Sequence, residues 1–296
     1  NAQAVDRWVA GGWKWGQPVE HSELEKARKG EWDVVLTPVK PVPHWWFTDR
    51  ADTAGVFTGL KILGLASGGA QQMPVFSVLG ASCTVFDYSP KQIESEIRTA
   101  QRENYVINAV RGDMTQPLPF PDENFDIIFN PVSNCYVEKV EPIWKECYRV
   151  LKRGGRLLAG FDNGLSFLFD DEHPLIVTHK LPVNPLRLSE EEFNQQAEQG
   201  DALFFSHSLE EQIGGQLLGR FHRQIKLPAA VLLAFGERYG RRADADGLHH
   251  RFLADREPGG QLRDGGLPPQ LIIQLFAQPR HLERELLDGA ADFDGA

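Results

Sequence analysis

The stretch Lys61-Ile62-Leu63-Gly64-Leu65-Ala66-Ser67-Gly68-Gly69-Ala70-Gln71 decides the fold. Its apolar first half reads as a buried strand, and the run of small residues after it reads as a tight turn into a helix expected from about Gln71 to Leu79. Reading forwards, the same alternation recurs. Ser82 to Asp87 is a second strand. Ser89-Pro90-Lys91-Gln92 then opens a helix, with Ser as cap, Pro where a missing N–H costs nothing, and Gln three residues after the cap. Ile93, Ile97 and Ala100 are spaced to form that helix's apolar face. Tyr105 to Val110, Phe125 to Phe129 and Arg156 to Phe161 are the next strands. Before the last of them a helix aligns Ile143, Cys147 and Leu151 and is closed by Lys152-Arg153 and Gly154-Gly155, cations and flexible residues that suit a helix C-terminus. Strand and helix in alternation imply an α/β fold, a doubly wound, mostly parallel, Rossmann-like sheet.

Reading backwards from Lys61, residues 1–59 are rich in Trp (Trp8, Trp13, Trp15, Trp32, Trp45, Trp46) and hold the run Pro38-Val39-Lys40-Pro41-Val42-Pro43. Prolines cannot donate to a ladder, so this region is expected to lie over the main domain as a strap or lid. Ser22-Glu23-Leu24-Glu25 has the spacing of a capping box at the start of its one helical piece. The main domain is expected over 60–255, with a late helix from Ser208 through Leu218, and 256–296 reads as a tail.

A net charge of −10 disfavours a phosphate backbone as partner. A small molecule is the simpler expectation. No apolar run approaches the roughly 20 residues of a membrane span, and the first residues lack a secretory pattern, which points to the cytoplasm. Cys83, Cys135 and Cys147 have the spacing of neither a disulfide framework nor a zinc knuckle, so no metal site is expected.

Ligand-type groups stand at successive strand ends. The turn Gly64, Ala66, Ser67, Gly68, Gly69 and Gln71 lies at the carboxyl edge where open α/β sheets bind ligands. Asp87 ends the second strand, followed by Tyr88, where a carboxylate can accept from both hydroxyls of a ribose. Since Ser89 supplies the helix cap, Asp87 is expected to be available. Asp113 follows the third strand and can accept from an exocyclic amine while Met114 packs on a ring. Asn130-Pro131-Val132-Ser133-Asn134-Cys135-Tyr136 follows the fourth.

In combination these elements resemble the class I S-adenosylmethionine-dependent methyltransferases, which carry a glycine-rich turn, an acid ending the second strand, an Asp after the third and a late Arg-Val-Leu-x-x-Gly-Gly, here Arg149 to Gly155. Leu36-Thr37-Pro38, Ala66 to Gly69, Pro131 to Cys135 and Leu209 to Gln216 are similar in wording to an uncharacterised bacterial branch of that family. The resemblance implies S-adenosylmethionine as cofactor and methyl transfer to an acceptor that the sequence leaves unnamed. The family's acid at the end of the first strand is Gly64 here, and two of its turn glycines are Ala66 and Ala70. The turn is therefore expected to bind chiefly through backbone groups, with Ser67 and Gln71 as side-chain candidates. After about Leu217 the family's last two strands are not evident, Leu248 to Ala254 being a remnant at most.

Methyl transfer from a sulfonium asks for alignment and exclusion of water rather than a nucleophilic triad. His207, Tyr136 and Asn130 are the candidates near the acceptor, with a packed role the commoner fate of such a His. Trp45, Trp46 and Phe47 suit either a lid or the core. Two other readings stand beside this one. A nucleotide-dependent oxidoreductase of the NAD type fits the turn and Asp87, although Gly64-x-Ala66-x-x-Gly69 is a degraded fingerprint. A non-catalytic S-adenosylmethionine-binding protein fits the loss of the strand-end acid.

Overall fold

The computed structural model describes residues 1–38, 40–48, 54–162, 164–169, 176–190, 193–194, 202–218 and 270–276. Its centre is a parallel sheet of β1 (Lys61–Leu65), β2 (Ser82–Asp87), β3 (Ile107–Arg111), β4 (Phe125–Asn130), β5 (Leu151–Asp162) and β6 (Gln270–Phe276), in the order β3-β2-β1-β4-β5-β6. The helices are α1 (Ala2–Ala10), α2 (His21–Arg28), α3 (Met73–Val78), α4 (Pro90–Glu103), α5 (Glu141–Val150) and α6 (Gly215–Leu218).

Residue alternation along the strands builds two apolar layers. On one face Ile62, Ile127, Phe129 and Leu158 pack with Phe76 and with Trp32, Leu36, Trp46, Phe47 and Phe57. On the other, Leu63, Ile128 and Leu157 pack with Ile143, Trp144 and Cys147 of α5. The tryptophan-rich N-terminal stretch thus supplies much of one core layer. Trp46 and Phe47 are fully buried while Trp45 stays exposed, so core packing is the fate of the first two. Burying each contributes roughly 2–3 kcal/mol.

Ser89 caps α4 as expected, accepting from Gln92 N at 3.1 Å. Of the expected apolar face, Ala100 is buried and Ile93 packs against the core, but the rest of the inward face is polar. Ile97 is exposed, and Gln92, Ser95, Glu96, Thr99 and Glu103 point inward. The reason is the N-terminal stretch, which runs along this face and meets polar groups with polar groups. Asp6 accepts from Ser89 Oγ at 2.6 Å, Arg102 donates to Val19 O at 2.9 Å, and His21 Nδ1 lies 2.8 Å from Glu103.

Other boundaries move for local reasons. α2 begins at His21 behind Glu20, so Ser22 is not a cap, and Glu25 pairs with Arg28 at 2.7 Å instead. β3 begins at Ile107, not Tyr105, because Asn104 closes α4 in a left-handed conformation and Tyr105 N is spent on Ala100 O at 3.1 Å. α5 stops at Val150. Leu151 pairs with Phe125 in the sheet, and Lys152 binds Asp126 at 2.9 Å rather than ending a helix. The expected helix from Ser208 starts with a reciprocal cap, Glu211 N to Ser208 Oγ at 3.1 Å and Ser208 N to Glu211 at 2.8 Å, and continues as a π turn (Glu210–Gly214) into α6.

The tail reading fails for seven residues: Gln270–Phe276 is β6, in register with β5 from Arg156 to Asp162. The expected remnant at Leu248 to Ala254 lies outside the described residues.

Candidate active site

At the carboxyl ends of β1, β2, β4 and β5 lies a cavity of about 670 Å³. It is lined by Ala66, Ser67, Gly68, Gln71, Asp87, Tyr88, Asp113 and Met114 from the expected set, with Tyr136 at the other side. Each is placed by backbone geometry. Ala66 and Ala70, standing where the resembled pattern has glycine, still adopt positive φ of 47° and 58°. That conformation costs an L-residue about 1–2 kcal/mol, and each is pinned by a hydrogen bond, Ala66 N to Phe86 O at 2.8 Å and Ala70 N to Glu96 at 2.7 Å. Burial pushes the Glu96 carboxyl up to about 8, with Ala70 N–H pulling it down and Asp87 adding to the rise.

Gly68 is the close-approach position. A Cβ there would sit 2.5 Å from Gln92 Cβ and 2.9 Å from Asp87 Oδ2. Gly112 is equally constrained, by the ring of buried Phe86. Asp87 is held rather than idle. Its Oδ2 accepts from Gly68 N at 3.0 Å and its Oδ1 from Ser89 N at 2.9 Å. The carboxylate keeps acceptor capacity for a ligand hydroxyl. Burial raises the Asp87 carboxyl, against the pull of the Ser89, Gly68 and Tyr88 N–H groups, and Asp6 adds to the rise. Asp113 accepts from Thr115 N and Oγ1 at 2.8 and 2.7 Å, which fixes it in a turn beside Met114.

Four expected residues fall outside the lining. Gly64 packs under Met73, whose Sδ would lie 2.5 Å from a Cβ. Gly69 backs onto Gln92 and Trp15 O, each 2.8 Å from a Cβ there. Asn130 is fully buried, donating to Leu65 O at 2.8 Å and Ser133 Oγ at 3.0 Å. It ties the ends of β1 and β4 together. His207 is buried with Nε2 3.0 and 2.9 Å from the carbonyls of Asn134 and Val137. Carbonyls only accept, so that nitrogen carries the hydrogen and the ring serves as a brace. The Arg of Arg149-Val150-Leu151 is likewise structural: it binds Phe120 O, Leu118 O, Asp122 and Glu146 at 2.6–2.9 Å and holds the loop before β4.

The cavity also takes residues to which sequence reading gave no role in the site. Gln72 and Thr37 line it, as does Asp162 at the end of β5, with Oδ1 accepting from Gly164 N at 2.7 Å. Asp162 obeys the strand-end rule that singled out Asp87. The far wall is aromatic. Trp8 of α1 stacks on Phe204 (6.1 Å, 16°) and stands 6.4 Å from Tyr136. The side chain of Asn1 donates to Tyr136 O at 2.7 Å and to Leu203 O at 2.9 Å.

Residues 63–159 match the model of a methyltransferase domain family. An uncharacterized methyltransferase, YbaJ of Bacillus subtilis (strain 168), is 44% identical over 222 residues, which cover 73% of this chain and 84% of that protein. The chain belongs to the class I S-adenosylmethionine-dependent methyltransferase family. This methyltransferase also resembles the sterol 24-C-methyltransferase erg6 of Aspergillus fumigatus, 28% identical over 42% of this chain and 33% of that protein, of which it thus spans about a third. Among solved structures, an S-adenosyl-L-methionine-dependent methyltransferase of Methanococcus maripaludis aligns with a TM-score of 0.33 and 27% identity, over 36% of this chain and 49% of that one. As a member, the protein is an enzyme that uses S-adenosylmethionine. Its residues fit that cofactor: the Gly68 and Gly112 positions leave no room for a side chain, and the Asp87 carboxylate faces the same cavity. Among the described residues no helix is long and apolar enough to cross a membrane.

Proposed function

We propose that this methyltransferase methylates a small molecule by in-line displacement, with the nucleoside at the β1–β3 edge and the acceptor at the β4–β5 edge. The observation that carries the reading is the single cavity that joins Asp87 and Asp113 to the aromatic wall of Tyr136 and Phe204. In this reading Asp87 accepts the ribose hydroxyls, Asp113 and Met114 hold the base, and the turn from Ala66 to Gly68 with Gln71 holds the methionine end. When bound, the cofactor supplies a methyl group on a sulfonium.

The chain's own task is then to align the acceptor and exclude water. α1 supports this: Asn1, Ala2 and Val5 line the cavity, and Trp8 stacks on the lining residue Phe204. Three buried, unbridged cysteines, Cys83, Cys135 and Cys147, suit a reducing cytoplasmic setting. The matches to sterol methyltransferases and to a demethylmenaquinone methyltransferase of Tropheryma whipplei run over 107–127 residues. That is too short to span both the cofactor turn and walls that extend from Asn1 to Phe205, so those names do not assign the acceptor.

Isothermal titration with S-adenosylmethionine, S-adenosylhomocysteine, NAD and NADP tests the reading. Binding of the first two, lost by about 100-fold or more in Asp87→Ala as two charge-assisted hydrogen bonds go, is the expected result. Preference for a dinucleotide, or a folded protein that binds none of the four, would overturn it.

A further inference from the structure

The two middle strands mark the point where the strand order turns. From β1 the chain runs outwards to β2 and β3, and from β4 it runs outwards on the other side to β5 and β6. The crevice between the ends of β1 and β4 is therefore the place at which an open α/β sheet takes a ligand. One hydroxyl is built into its wall. Asn130, at the end of β4, donates through Nδ2 to Leu65 O at 2.8 Å and to Ser133 Oγ at 3.0 Å. A carbonyl only accepts, which fixes the way the amide faces, and both amide hydrogens are then spent. Ser133 is buried, at 4% exposure, and lines the cavity. Through Asn130 its Oγ stands two hydrogen bonds from Leu65 O, the last carbonyl of β1 before the turn. That oxygen already receives an amide hydrogen, while its own hydrogen goes to no acceptor among the described residues. Ser133 thus presents a held donor to whatever fills the crevice.

The turn beside it has little to donate. Ala66 N is spent on Phe86 O, Gly68 N on Asp87, Gly69 N on Gln92 O and Ala70 N on Glu96. An anionic group next to the turn must look beyond these four for its donors. Which group that is follows from chemistry. In the reading above the ribose and the base belong to Asp87 and Asp113, on the far side of β1. An ammonium carries donors only and is not met by another donor. The acceptor's nucleophilic atom must keep its lone pair for the methyl carbon, and a hydrogen bond to that pair would hold it back. The carboxylate of the methionine end only accepts. β2 and β4 are separated by β1, two strand spacings or roughly 10 Å, which is within reach of the methionine arm of a cofactor whose ribose is held at Asp87. β1 brings no acid to oppose a carboxylate, since Gly64 packs under Met73 near its end.

We propose that the Ser133 hydroxyl, oriented by Asn130, donates a hydrogen bond to the carboxylate of the cofactor's methionine end. The proposal rests on the cofactor reading above and adds to it a side-chain donor supplied by the exit of β4, with Asn130 as its positioning residue.

S-adenosylmethionine and its decarboxylated form, which differ by that carboxylate, test it by isothermal titration into the full chain. Ser133→Ala is expected to weaken S-adenosylmethionine about tenfold, as one charge-assisted contact goes, and to change the affinity of the decarboxylated form by less than about twofold. Reading the ratio of the two affinities in parent and variant cancels the general attraction of a chain of net charge −10 for the more cationic ligand. If the Ala variant does not fold, Ser133→Cys, which exchanges a strong donor for a weak one, should shift the same ratio in the same direction by a smaller factor. An unchanged ratio, whether because neither affinity moves or because both fall together as a merely structural Ser133 would make them, overturns the contact. Failure of both ligands to bind the folded parent protein strikes the cofactor reading itself, and the proposal with it.

Discussion

The two ends of the cavity are built in opposite ways. The end proposed for the nucleoside comes from one continuous stretch, from Leu65 to Thr115, in which each cavity-lining group follows directly from a strand and is fixed by a backbone hydrogen bond a few residues away. The rest of the cavity, proposed for the acceptor, draws Trp13, Thr37, Tyr136, Asp162 and Phe204 from segments far apart in the chain and holds them by packing and by long-range ties such as Asn1 to Leu203. A site of the first kind tolerates no change of backbone shape. One of the second kind is redefined whenever a covering segment changes, while the cofactor half stays as it is.

The sharpest way to break this contrast is Gly68→Val. Its side chain would enter the space between Gln92 and Asp87, and S-adenosylhomocysteine affinity is expected to fall by about 100-fold or more, with a loss of stability of roughly 1–3 kcal/mol from overpacking. Titration calorimetry and thermal melting check both; an unchanged affinity would mean that the turn does not carry the cofactor.

A smaller effect concerns the pin beneath the turn. The Glu96 carboxyl titrates near 8 in the folded protein against 4.5 ordinarily, so between those values the folded state holds a proton that the unfolded state has released. Its contribution to stability is complete below about pH 4.5 and is lost as pH rises through about 8, on the order of a few kcal/mol. Glu96→Gln should flatten the fall of Tm over that range and leave the variant more stable than the parent above it. A parallel fall in both proteins would remove Glu96 as the cause.

Smallest is the expected effect of Trp8→Ala on the cofactor. Removing the stack on Phe204 should cost the acceptor wall about 1 kcal/mol of pair energy in a double-mutant cycle with Phe204→Ala, yet change S-adenosylhomocysteine affinity by less than about twofold. A large change would show that the two ends are coupled through α1.

The same division explains which residues were legible beforehand. Asp87, Asp113 and the turn follow from strand ends and spacing; Asp87, Asp113, Ala66, Ser67, Gly68 and Gln71 line the cavity, whereas Gly64 and Gly69 pack behind it. Asn130 and His207 are polar residues in the right neighbourhood, but only the fold reveals that Leu65 O and Ser133 Oγ occupy the Asn130 amide and backbone carbonyls the His207 Nε2. Asp162 was readable by the rule applied to Asp87 and stood at the edge of the recognisable pattern. Thr37 stood in the Leu36-Thr37-Pro38 wording shared with the bacterial branch, but nothing local says that its segment lines the cavity.

By itself the sequence determined the alternation of strands and helices, the cap of α4 and the strand ends that line the cavity, since each depends on neighbours within a few residues. The tertiary structure alone decided that α4 buries a polar face, that Gln270–Phe276 joins the sheet beside β5 and that a strap threonine and a strand-end aspartate line one cavity. Those outcomes depend on contacts between segments distant in the chain, and local periodicity and propensity carry no information about which distant segment arrives.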